Sequence, residues 1–131
     1  DKLMSYSTPT TVTYTFSAHD FGAGAGATAI KAPAGFENGR IRDVGVTDIT
    51  ETFTAVTTPA YVTLGTVANS LQYAVLNLNT AAATDAFNTQ DDPDAITDAD
   101  VTNEQIEVSY IAPTGGTPAG IGTPYVVIDW F

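Results

Sequence analysis

Residues 11–18 read TVTYTFSA, and this alternation limits what the chain can become more than any other stretch. Val12, Tyr14 and Phe16 fall on one face and Thr11, Thr13, Thr15 and Ser17 on the other. That period of two belongs to a strand with one buried side. The pattern recurs along the chain. QIEVSYIA puts Ile106, Val108 and Tyr110 on one face, SLQYAVLNLNT aligns Leu71, Tyr73 and Val75, and YVTL at 61–64 and YVVI at 125–128 are strand-sized apolar runs. Residues 41–56 read as two strands or one bent one, with Val44 and Val46 on one face, Ile49, Phe53 and Ala55 on another, and Gly45 marking a bulge or a close approach. Pro33 and Gly35 break any helix in their region, and the Asn38-Gly39 pair carries a tight-turn signal. A chain rich in Thr, Val, Tyr and Phe but poor in Leu, Met and Lys suits pleated surfaces. Its 131 residues suffice for one core. The expectation is an all-β antiparallel sandwich or barrel over residues 11–131, preceded by an extended arm over residues 1–10.

Charge excludes several partner classes. Fifteen acidic side chains face Lys2, Lys31, Arg40 and Arg42, a net charge of −11. Nucleic-acid binding draws on clustered Lys and Arg, and an anionic membrane would repel this surface, so neither is an expected partner. There is no cysteine, which removes disulfides and thiolate metal sites.

Four features invite a chemical reading. GAGAGA at 22–27 satisfies the glycine fingerprint of dinucleotide sites, and Asp43 lies where a ribose-binding acid belongs. The fingerprint requires a helix whose N-terminus holds the pyrophosphate, and Pro33 and Gly35 stand where its body would run, so these glycines read as a loop. Asp91, Asp92, Asp94, Asp98 and Asp100 form an acidic loop. Asp91, Asp92 and Asp94 are its calcium candidates, though the EF-hand spacing fails at Ile96 and Thr97 and a solvated loop is the plainer reading. His19 is the single histidine, and no serine sits in a nucleophile elbow, so a hydrolase is a distant third reading. Tyr61, Tyr73, Tyr110, Tyr125 and Trp130 could stack on sugars, but their phase with strand alternation says core. Neither catalytic residues nor a cofactor are expected.

The segments GRIRDVGVTDITETFTAVTTPAYVTLGT, YAVLNLNTAAATDAFNTQDDPDAITDAD and IEVSYIAPTGGTPAGIGTPYVVIDWF together resemble the small, acidic, threonine-rich decoration (cement) proteins of tailed-bacteriophage heads. The resemblance implies a jelly-roll-like sandwich on the outer surface of the virion, non-enzymatic, binding the major capsid protein and neighbouring copies of itself as a dimer or trimer. It carries no residue roles. Contact candidates come from the arm (Lys2, Leu3, Met4, Tyr6), the glycine loop (Gly22, Gly24, Gly26), the loop at 113–123 (Gly115, Gly116) and the C-terminal Phe131. The competing expectation is a carbohydrate-binding β-sandwich of a tail fibre or secreted protein.

Overall fold

The computed structural model describes residues 9–79, 81, 86–102 and 105–131. The arm candidates Lys2, Leu3, Met4 and Tyr6 lie outside the described residues. Ten strands follow in chain order: β1 (Thr10–Thr15), β2 (His19–Asp20), β3 (Gly26–Ile30), β4 (Asn38–Thr54), β5 (Tyr61–Gly65), β6 (Ala74–Asn77), β7 (Phe87–Asn88), β8 (Asp100–Thr102), β9 (Ile106–Ile111) and β10 (Ala119–Trp130). A three-residue 3-10 helix, Phe21–Ala23, is the only helical element among the described residues.

The strands build two antiparallel sheets, which makes the fold all-β and compatible with a sandwich. The first runs β1-β10-β4-β7, with β2 extending the β1 side of β10 and β8 lying along β4. The second runs β3-β9-β5-β6. Inward residues of both sheets form one core, with Val44, Val126, Ile128 and Trp130 from the first and Val62, Leu64, Leu76, Ile106 and Val108 from the second. The alternation at Val12, Tyr14 and Phe16 is kept, all three packing on that core from the edge.

Three local expectations change, and for residues 41–56 one of the two readings, a single bent strand, holds. Asn38 and Gly39 make no turn; they open β4, paired to β8 and β10, and the turn falls earlier, where Phe36 N–H donates to the Pro33 carbonyl. Gly39 is needed there for space rather than for a turn. A Cβ on it would stand 2.7 Å from two Trp130 ring atoms, so the indole lies directly on backbone. Residues 41–56 hold one long strand, bent by register shifts against β10 and by Asp48 at φ 49°, a left-handed conformation that Asp tolerates. In β6 the buried set is Ala74, Leu76 and Leu78 together with Tyr73, while Leu71 is 54% exposed. Tyr73 precedes the strand and turns inward, so the alternation there starts one residue later. Finally, half of the 113–123 stretch is strand, since β10 begins at Ala119.

Trp130 is fully buried and its Nε1–H donates to the Tyr14 hydroxyl at 2.8 Å, tying the last strand to the edge strand. Urea unfolding of Trp130→Ala is expected to show a loss of about 3–5 kcal/mol, from the removed apolar volume and the cavity left behind. Phe131→Ala, one residue on and 42% exposed, is expected to change stability by less than about 1 kcal/mol.

Candidate interaction surface

The two long sides of the domain are unequal, and chain direction is the reason. On one side, residues 86–102 return across both sheets. Val75 N–H donates to Ala95 O (2.8 Å), Thr97 N–H to Tyr73 O (2.9 Å) and Ile41 N–H to Ala99 O (2.8 Å), so the outer edges of β6 and β4 are occupied. On the opposite side, no described strand pairs with the outer edges of β1, β2 or β3. Between these free edges runs a groove of about 420 Å³ lined by Thr15, Phe16, Ser17, Ala18, His19, Thr28 and Tyr110.

His19 forms the floor of this groove and is held there as a packing element. Its ring meets Phe21 edge-on at 4.8 Å between centroids and lies 5.0 Å from Tyr110, and Phe21 in turn stacks edge-on against Phe53. Its Nε2 lies 2.9 Å from the Gly24 carbonyl. A carbonyl only accepts, so this fixes the Nε2–H tautomer or the imidazolium. Ser17 lines the same groove, but Nε2 already carries a proton directed at backbone and so cannot accept one from a serine hydroxyl. Burial pushes the Tyr110 hydroxyl above its ordinary value, offset in part by its hydrogen bond with Thr28.

The GAGAGA stretch is distributed over three settings. The Asp20 carboxylate accepts from Ala23 N–H and caps the short helix containing Gly22 and Ala23, Gly24 and Ala25 turn the chain, and Gly26 and Ala27 enter β3. Gly22 packs on the Pro118 carbonyl, and a Cβ on Gly26 would reach to 3.0 Å from the His19 ring. Strand, not helix, follows the glycines, so the geometry of a dinucleotide cradle is absent.

Two carboxylates of the acidic loop, Asp91 and Asp98, are turned toward its own backbone. Asp91 accepts from Asn88 N–H (3.1 Å), Asp98 accepts from Asp100 N–H (3.2 Å), and Asp100 pairs with Arg40 at 3.0 Å. Asp92 lies 3.5 Å from Asn77 N, while Asp94 is exposed. A backbone turn closes where Asp91 and Asp92 N–H both donate to Asn88 O. No group of three or more His, Asp or Glu side chains converges among the described residues.

Gly115 and Gly116 lie at φ 91° and 68° in a turn that holds the β4–β5 connection: Thr57 and Thr58 N–H donate to Thr114 O, and the Thr58 and Thr114 hydroxyls bond each other. Phe131 keeps backbone pairing with Asn38 and lines an open groove with Pro9, Arg40, Arg42 and Asp129. Both arginines there are already paired, Arg42 with Asp129 at 3.2 Å.

Two features had no signal in the sequence. The outer face of the second sheet carries an apolar groove of about 410 Å³ lined by Tyr61, Thr63, Leu71, Val75 and Ile111. Leu71 and Ile111 are exposed there, and the buried Thr63 hydroxyl has no hydrogen-bond partner among the described residues. On the outer face of the first sheet, Asp43 accepts from Tyr125 OH (2.9 Å), Thr89 OH (2.8 Å) and Thr89 N–H (3.3 Å). The aromatics proposed for sugar stacking mostly leave the surface: Trp130, Tyr73 and Tyr110 are buried.

No protein-family profile, no curated protein and no solved structure matches this chain.

The Tyr125 phenol is raised to about 12, first by burial and then by the neighbouring Asp43 carboxylate, with Asn88 acting in the opposite sense. An unfolded tyrosine ionises near 10. Stability held by the neutral phenol is therefore complete below about pH 10 and lost as pH rises toward 12. Ultraviolet titration should show Tyr125 and Tyr110 ionising later than the other tyrosines, and Asp43→Asn should move the Tyr125 step toward 10.

Proposed function

We propose that this protein is a structural component of a tailed-phage virion: a capsid decoration protein on the outer surface of the head that bridges and stabilises capsomers without catalysis. The observation that carries this reading is the division of labour among its side chains. Several groups that could do chemistry are spent on building the domain, with His19 packed and bonded to Gly24 and Asp91 and Asp98 accepting from loop backbone. What the surface leaves uncovered is adhesive: the apolar groove at Tyr61, Leu71, Val75 and Ile111, and the unpaired edges of β1 and β3. Such patches on an otherwise strongly acidic domain suit binding to other proteins. The net charge of −11 keeps copies soluble before assembly and turns the domain away from packaged DNA.

The strand order supports a jelly roll within this reading. Taken in chain order, β1, β3, β4 and β5 alternate between the sheets, β6 stays beside β5, and β7 with β8, β9 and β10 alternate again. Two intertwined Greek keys produce that order. The carbohydrate-binding alternative loses its strongest residue, since Trp130 is fully buried.

Purified heads from a phage encoding this chain are expected to carry it in many copies. Heads stripped of it by mild heat are expected to release DNA at lower temperature than intact ones, and re-addition should restore them. Absence of the protein from purified virions overturns the proposal.

A further inference from the structure

The β1 edge is more than unpaired; it matches itself. Phe16 N–H donates to Pro124 O across the β1–β10 ladder, and the register from Thr10↔Trp130 to Thr15↔Tyr125 has no bulge. In an antiparallel pair, inward and outward backbone groups alternate along a strand. Tyr14, Val12 and Thr10 therefore bond β10, and Thr11, Thr13 and Thr15 direct N–H and C=O away from it. Edge strands usually block a second strand with a lysine, an internal proline or a bulge. Residues 10–15 contain no charged side chain and no proline.

We propose that this edge is the site of self-association: two copies join through β1 in antiparallel register about a two-fold axis at Thr13, continuing the first sheet from one copy into the other. The sequence TVTYT reads the same in both directions except for Val12 and Tyr14. A two-fold at Thr13 sets Thr13 opposite its counterpart, Thr11 opposite Thr15, and Val12 opposite Tyr14. Threonine then meets threonine on the outer face, and an aliphatic side chain meets an aromatic one on the inner face, both favourable cross-strand pairs. Such an isologous interface closes as a dimer and supplies about six backbone hydrogen bonds.

Charge selects a second copy as the occupant. Two molecules at −11 repel through most of their surfaces, yet residues 10–30 carry one charged side chain, Asp20. Copies can therefore approach at this side with the least repulsion, and Val12 and Tyr14, both half-buried in one copy, become covered. The inference names the self-contact of the decoration-protein reading. It is tested on the isolated protein, so it fails or survives independently of virion association.

The test is sedimentation equilibrium on the purified full chain, joined with amide exchange at Thr11, Thr13 and Thr15. The wild type is expected to sediment as a dimer with those three amides protected. Thr13→Pro deletes an outward N–H without touching the β10 ladder, and should weaken association about 30-fold or more through the two lost central hydrogen bonds. Its circular dichroism should stay unchanged. Thr13→Lys, which sets two ammonium groups against each other at the two-fold, should give the same result and decides the matter if the proline variant does not fold. A monomeric wild type overturns the proposal, as does a dimer that both variants leave intact. A monomer whose three amides lose protection when residues 1–8 are removed also overturns it, because the arm of the same chain then covers the edge.

Discussion

The structure depends on where β10 lies. It is a central strand, bonded along one edge to β1 and β2 and along the other to β4, so the end of the chain joins its beginning to its longest strand. Trp130 completes that arrangement. The indole rests on Gly39 of β4, reaches Tyr14 of β1 with its N–H, and fills the core without exposure. Large rings contribute most to burial in a small domain, and a ring that touches three strands couples them more tightly than an aliphatic side chain would. Sheet pairing is thus non-local at its centre, with contacts between residues more than a hundred positions apart.

An asymmetry follows from the same topology. Residues 86–102 complete one side of the sandwich, their acidic side chains satisfying loop backbone and Arg40 while the main chain covers β4 and β6. Nothing equivalent is described on the β1 and β3 side. Residues 86–102 carry five acidic side chains, whereas residues 10–30 carry one, Asp20. The single histidine lies in the groove on the open side. Enclosed by Phe21 and Tyr110 and bonded to a carbonyl, His19 acts as a polar wedge in an aromatic cluster.

How much was legible beforehand varied with how local the cause was. The strands at Val12 to Phe16 and Ile106 to Tyr110 were readable because alternation is set by the pleat itself. The Asn38-Gly39 pair misled because its turn propensity is weaker than the packing of Trp130, which demands a residue without Cβ at 39 and pulls the pair into β4. Leu71 misled because it is in phase with Tyr73 and Val75 yet precedes the strand and stays in solvent. Among the proposed contact residues, the sequence marked the glycines of both loops. It did not show that Gly115 and Gly116 lie against Thr57 and Val56, or that Gly26 lies against the His19 ring.

The sequence by itself determined that the chain is all-β, strongly acidic, free of thiol chemistry and without a helix after GAGAGA, since periodicity and composition are local quantities. Tertiary structure alone decided which edges were covered and which were left free. Whether a strand lies at the centre or the edge depends on partners far along the chain, and no local pattern records that. TVTYT reads as an amphipathic strand in either place. Only its pairing with β10 on one side, and the return of residues 86–102 to the opposite flank, leaves its outer edge without a partner strand among the described residues.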